Sequence, residues 1–217
     1  MKKFRVFIKI VLIFVAILFS SQTSFALENH IEHLMLSKDL NEKYSLAGEI
    51  DYRTIKNRAP YRHYDFGGDY NLKKDLTIGL RFRMLYLKNK GQWDLSEQRP
   101  QLQITKKFES KNVDYELRFR HEYRMFMGGD DKQRERLRFR ATSNRKFFNL
   151  RPILFNEIFY DITDNRFNQN RLDVGVLFPA ISYFTPSIYI RDEIRFFNAD
   201  RKWHSDQMVM FRVEAAF

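Results

Sequence analysis

The amino-acid sequence predicts an all-β fold: a membrane-spanning antiparallel up-and-down β-barrel of about ten strands, with twelve as the alternative. Three observations carry this. The chain ends in a period-two apolar stripe closed by an aromatic residue. It begins with an export leader. Between them lies a succession of strand-length segments in which apolar and charged residues alternate.

The C-terminal signature consists of Val209, Phe211, Val213, Ala215 and the terminal Phe217, with Met210, Arg212, Glu214 and Ala216 between them. In a strand, successive side chains point to opposite faces, so this pattern gives one lipid-facing and one lumen-facing row. At the other terminus, Lys2, Lys3, Arg5 and Lys9 precede an unbroken apolar run from Ile10 to Phe19 and a polar stretch ending Ser24-Phe25-Ala26. Charged head, short apolar core and small residues at −3 and −1 describe a cleaved secretory signal peptide over residues 1–26. The run is shorter than the roughly 20 residues that a spanning helix needs. Residues 27–42 then form an N-terminal segment that offers one extra strand, and residues 43–217 form the barrel.

Composition agrees. Aromatic residues make up 16% of the chain, with 22 Phe and 11 Tyr, which suits a lipid-facing wall with aromatic girdles. Cysteine is absent, which excludes disulfides and thiol chemistry in an exported chain. The formal charge is +11, and the leader holds four basic residues and no acid, leaving +7. Such a balance invites comparison with nucleic-acid binders. Export and the placement of the charges, which alternate along strands, argue against nucleic acid as a partner.

From Lys43 onward the segments follow in order. Tyr44, Leu46, Gly48, Ile50 and Tyr52 face lipid, with Glu49, Asp51 and Arg53 inward. Tyr64, Phe66, Tyr70 and Leu72 face out, with His63, Asp65 and Asp69 inward. Leu76, Ile78, Leu80, Phe82, Met84 and Tyr86 face out, with Arg81 and Arg83 inward. A strand carrying Leu102 and Ile104 follows. Then Tyr115, Leu117, Phe119 and Tyr123 alternate with Glu116, Arg118, Arg120, Glu122 and Arg124. Leu137, Phe139 and Ala141 alternate with Arg134, Arg136, Arg138 and Arg140. A two-residue period would scatter those four arginines around a helix, so a strand is required. Further segments lie near Leu150–Ile162, Asn170–Ile181, Pro186–Asn198 and Ser205–Phe217. In the first of these, apolar residues occupy both faces, which implies a bulge or two-sided packing. In Pro186–Asn198, Asp192 is sent outward unless the register shifts. The segment Ile31–Leu40 would be an eleventh strand, which conflicts with the even count of bacterial barrels.

The breaks between strands read as alternately short (Lys73–Asp75, Lys111–Asn112, Phe148–Asn149, Ser182–Thr185) and longer (Asn89–Gln98, Met127–Gln133, Thr163–Gln169, Ala199–His204). Short periplasmic turns and longer outer loops give this pattern, with Phe217 at the periplasmic side.

The run Glu157-Ile158-Phe159-Tyr160, followed by Arg166-Phe167-Asn168-Gln169-Asn170-Arg171-Leu172 and Gly175, resembles the signature of the family called domain of unknown function 2490. Tyr52-Arg53, Leu80-Arg81-Phe82-Arg83 and Leu137-Arg138-Phe139-Arg140 support it. The resemblance implies an outer-membrane-type barrel and no activity.

Function must therefore be read from the lumen. The inward residues mix arginines with carboxylates, and the first reading is a salt-bridge ladder that fills a narrow, net-basic interior. The alternative is a narrow anion-favouring porin for acidic or phosphate-bearing solutes. Its path would be the basic cluster Arg81, Arg83, Arg118, Arg120, Arg134, Arg136, Arg138 and Arg140, since rings of arginine favour anions. Glu157 and Arg171, on neighbouring strands, read as a cross-strand ion pair. A lipid-modifying enzyme is the third reading, on His204 beside Ser205 or His63 with Asp65, but neither assembles a nucleophile with its base. His121 falls on the lipid face. His30 and His33 give a weak metal signal, and no cofactor or metal is expected. The expected partners are outer-membrane lipid and lipopolysaccharide, with barrel-assembly machinery and periplasmic chaperones during biogenesis. The protein is expected to be a monomer in the bacterial outer membrane.

Overall fold

Alternation along the chain becomes a closed wall. The computed structural model describes residues 29–56, 58–197 and 201–217, and the leader read at residues 1–26 lies outside them. Among the described residues the elements are β1 (His30–Asp39), β2 (Tyr44–Thr54), β3 (Tyr61–Lys73), β4 (Leu76–Asn89), β5 (Gln92–Phe108), β6 (Val113–Phe126), β7 (Lys132–Ser143), β8 (Arg151–Asp161), β9 (Arg166–Leu177), β10 (Phe184–Phe197) and β11 (Lys202–Ala216). Each pairs antiparallel with its successor, and β1 meets β11 to close the barrel. Closure leaves no strand edge, and an unpaired backbone N–H or C=O in hydrocarbon would cost several kcal/mol.

The ten strands read from Lys43 onward are β2 to β11. The segment left over at the N-terminus is β1, and it pairs parallel with β11, from His30 opposite Val209 to Ser37 opposite Ala216. Eleven strands force the first and last to run the same way, which is how the count departs from an even number. The C-terminus is tied into this seam: Phe217 N–H donates to the Ser37 carbonyl at 3.0 Å, and Asp39 N–H donates to the Phe217 carbonyl at 3.3 Å. We call the rim that holds Phe217 the lower one.

The outer face is apolar, with Leu80 and Ile190 about two-thirds exposed. Its aromatic residues gather towards the two ends. Tyr44 and Tyr70 pair near the lower rim, as do Tyr183 and Phe217; Tyr64 and Tyr86, Tyr160 and Phe167, and Phe196 and Trp203 pair near the upper one. Amphipathic rings at both interfaces are the mark of a spanning barrel.

Two expectations change. The stretch Asn89–Gln98 is not a loop: β4 and β5 turn over Lys90 and Gly91, whose φ angles are 47° and 86°, the left-handed pair that a two-residue hairpin requires. Connections 144–150 and 178–183, at the lower rim, are at least as long as 55–60 at the upper one, so loop length does not separate the two rims. The alternation through Asn89–Gln98 is hidden by a bulge. Tyr86 lies opposite Leu95 and Leu85 opposite Glu97, so Ser96 is the extra residue and the alternation changes parity there. A second bulge at Asn168 places Phe167 opposite Tyr160 and Gln169 opposite Phe159. The register does not shift at Asp192, which stays outward and accepts a hydrogen bond from Ser205 Oγ at 2.6 Å.

The two-sided apolar pattern of β8 has a direct explanation. Leu154 and Ile158 face lipid, whereas Ile153 and Phe155 face a lumenal apolar cluster with Ile31, Leu177, Tyr189, Met208 and Met210. The wall from β8 round to β1 thus adds an apolar cluster among its inward charges, whereas the inward face from β2 to β7 is mostly charged and polar. Gly175 makes this possible: a Cβ there would lie 2.2 Å from the Ile188 carbonyl oxygen and 2.5 Å from the Tyr189 ring.

Candidate functional site: an arginine-lined lumen

The row Arg134, Arg136, Arg138 and Arg140 descends β7 through the whole lumen, because residues two apart on a strand share a face. Its upper members share one acid. Glu122 on β6, fully buried, accepts from Arg134 Nη2 at 2.5 Å and from Arg136 Nη1 at 2.5 Å, with Arg99 and Arg120 at 3.8 and 4.0 Å. Arg138 bonds Glu116 at 2.5 Å, and Arg140 reaches Thr142 Oγ1 at 3.3 Å.

Aromatic rings complete the support. Phe159 is surrounded by the guanidinium carbons of Arg134, Arg136 and Arg171 at 4.7–4.9 Å from its ring centre. Phe155 carries Arg138, Arg140 and Arg212 at 5.2–5.7 Å. Each such contact contributes roughly 0.5–2 kcal/mol, the larger figure when desolvated. The two inward phenylalanines of β8 therefore support six arginines, five of them on the neighbouring strands β7 and β9.

Of the remaining predicted residues, Arg81 bonds Asp69 at 2.5 Å, Arg83 bonds Asp65 at 2.8 Å and Glu49 at 3.1 Å, and Arg120 bonds Gln103 at 2.7 Å. Glu157 and Arg171 lie directly opposite each other, but their charged atoms stand 3.8 Å apart and each has a closer partner. Glu157 takes Arg136 at 2.7 Å and Arg118 at 3.1 Å, and Arg171 bonds Glu193. In the C-terminal signature, Val209, Phe211 and Val213 face outward, and Ala215 is covered opposite Phe184, whose ring meets Phe217 edge-on.

The histidines separate. His63 is fully buried, its Nδ1 2.8 Å from Tyr61 Oη and its Nε2 2.7 Å from Glu49, while Asp65 serves Arg83. Ser205 points outward to Asp192, and His204 stands edge-on to Phe197, so the adjacent pair does not form a dyad. His121 is on the outer face, 2.8 Å from Glu135. His30 and His33 lie on opposite faces of β1 and cannot share a metal. Instead His33 approaches Glu49 and Asp51, with ligand atoms all within 4.8 Å of one another. Arg53 holds that Asp51 at 2.5 Å and Arg83 holds that Glu49, so guanidinium groups already take the places a cation would use.

Sequence reading missed Glu97, Arg99, Gln101 and Gln103 on β5, all buried in the lumen. Arg99 and Arg124 both bond Glu97, at 2.5 and 2.7 Å. The signal was present: these residues alternate with Leu102 and Ile104, and the row only needed extending upward past Gln98.

Among the described residues, three cavities follow one another down the lumen. An upper vestibule of about 430 Å³ is bordered by nine arginines, including Arg99, Arg124, Arg134 and Arg195, and by no acidic side chain. A lower vestibule of about 520 Å³ is mixed, with Asp65, Asp69, Glu116 and Glu214 beside Arg81, Arg138 and Arg140. Between them is a waist of about 60 Å³.

Residues 32–182 match the family model described as Protein of unknown function (DUF2490). No curated protein matches the chain. Among solved structures, the NanC porin in a rhombohedral crystal form aligns with a TM-score of 0.52 at 12% identity, covering 85% of this chain and 94% of that one. A structure from work on in-meso crystallization of membrane proteins aligns with a TM-score of 0.40 at 15% identity, covering 82% and 78%. The first likeness is one of fold, a porin-like barrel.

Proposed function

Since the chain belongs to the family described as Protein of unknown function (DUF2490), we propose that it is an outer-membrane channel, narrow at its middle, that favours anions. One observation carries this reading: the upper vestibule is walled by nine arginines and no carboxylate. Basic rings in a low-dielectric wall concentrate anions and repel cations. Planar guanidinium groups suit carboxylate and phosphate solutes in particular. The arginine row of β7 then offers successive sites from the upper vestibule to the lower one. On this reading the lower rim is periplasmic, and lipopolysaccharide surrounds the upper rim. The C-terminal signature ending at Phe217 is what assembly machinery and periplasmic chaperones recognise.

A second reading is favoured by the waist. Its 60 Å³ and the ion pairs around it describe a sealed, charge-packed barrel whose arginines are a folding device.

Single-channel recording on the purified barrel in planar bilayers, under a potassium chloride gradient, separates the two. The channel reading expects discrete steps with an anion-favouring reversal potential that weakens in Arg124→Gln and Arg195→Gln. A correctly folded barrel that stays electrically silent overturns it and leaves the sealed barrel.

A further inference from the structure

The waist holds more hydrogen-bond donors than its own acceptors use. Nine arginines border it with four carboxylates, Glu49, Asp51, Glu157 and Asp173, while Arg83, Arg136, Arg138, Arg171 and Arg212 also reach Asp65, Glu122, Glu116, Glu193 and Glu214 beyond its lining. Like charges even face each other across the β6–β7 ladder, Arg118 opposite Arg138 and Arg120 opposite Arg136. Such pairs repel unless a negative group lies near both.

The carboxylates are already engaged. Glu157 serves Arg118 and Arg136, Asp173 takes Arg191 through both oxygens at 2.6 and 2.7 Å, and Asp51 takes Arg53. Yet five buried guanidinium nitrogens around the same cavity have no hydrogen-bond partner: Arg118 Nε, Arg136 Nε, Arg138 Nε, Arg191 Nη1 and Arg212 Nε. Arg136, Arg191 and Arg212 are more than nine-tenths buried. Native interiors rarely leave such groups unsatisfied, and a cluster of them requires an account. The five come from β6, β7, β10 and β11, so they converge from both walls of the barrel.

Water would satisfy these donors one at a time, and a metal dication would meet guanidinium groups of its own sign. A compact oxyanion supplies several acceptor oxygens together with negative charge, and guanidinium matches its geometry. The cavity also has the size, several times the roughly 10–15 Å³ that one water occupies.

We propose that the waist is a binding site for one small oxyanion of the phosphate class, held by Arg118, Arg136, Arg138, Arg191 and Arg212. The bound anion ties the charged β6–β7 wall to the β10–β11 wall and closes the lumen at its middle. This deepens the anion reading above but does not depend on conduction, since a sealed barrel holds the anion equally well.

The test is titration calorimetry of the folded barrel in neutral detergent at low salt, with inorganic phosphate as the probe and chloride as the comparator. One phosphate per barrel is expected, with at least ten-fold weaker binding in Arg138→Gln and Arg191→Gln and no change in Arg62→Gln on the outer wall. Absence of saturable binding, or equal competition by chloride, overturns the proposal. Where the lumenal variants do not fold, wild-type crystals soaked in selenate replace them: an anomalous peak at the waist supports the site, and a peak elsewhere or none overturns it. Conduction without phosphate binding removes this site and keeps the channel. Phosphate binding in a silent barrel does the reverse.

Discussion

Glu122 receives Arg134 and Arg136 on its two carboxylate oxygens, each at 2.5 Å, and is itself fully buried. One acid thereby spaces two guanidinium groups of the β7 row and tempers two more, Arg99 and Arg120. A buried charge whose partner is removed is costly, because desolvation is no longer offset. Glu122→Gln is therefore expected to destabilise the barrel by about 3–5 kcal/mol. Urea unfolding in detergent, followed by tryptophan fluorescence, measures this; a loss near zero would mean that the upper arginines are screened by solvent.

Gly175 admits the Tyr189 ring into the lumenal core. Gly175→Ala places a methyl against the Ile188 carbonyl and the ring, and overpacking of this kind costs about 1–3 kcal/mol. Gly48 is the control, since its nearest neighbour is 3.7 Å from an added Cβ and its side faces lipid. Gly48→Ala is expected to unfold with the wild type in the same urea series, and Gly175→Ala earlier.

The turn between β3 and β4 carries a pH-sensitive contact. Lys106 donates to Asp75 and holds that exposed carboxyl below the usual carboxylate range. A carboxyl lowered in the folded state stabilises it above the unfolded value, and that contribution disappears as pH falls through the lowered value. The difference in melting temperature between wild type and Asp75→Asn should therefore be present at neutral pH and vanish in strong acid. A difference that persists at pH 2 would sink the assignment.

The two vestibules differ in lining: arginines without a carboxylate border the upper, backed by ion-paired acids behind them, and both signs border the lower. A conducting barrel inserted in one orientation should rectify, passing more current when anions enter from the upper mouth. Symmetric current–voltage curves would show that the waist, and not the vestibules, sets the flux.

Much of this molecule is legible in its sequence, and the reasons for the rest are local. In the strands from Tyr44 to Asn71, from Leu76 to Tyr86, and again from Asp114 to Arg140, alternation assigns each side chain its correct face. It fails where one residue is inserted: Ser96 hides the lumenal role of Glu97 and Arg99, and Asn168 does the same at Gln169. Phe155 and Phe159 look like a break in the pattern because a lumen is expected to be polar, whereas here aromatic rings carry the arginines. The waist was not legible at all, since it depends on which bonds remain unmade after strands far apart in sequence have met.

The parallel seam between β1 and β11 has a consequence for how the polypeptide lies across the bilayer. An even barrel returns its chain to the compartment where it began. With eleven strands, Asn29 sits at the upper rim, where its side chain caps the Gln207 carbonyl, and Phe217 sits at the lower one. Labels attached at these two residues should accordingly react from opposite sides of a sealed membrane.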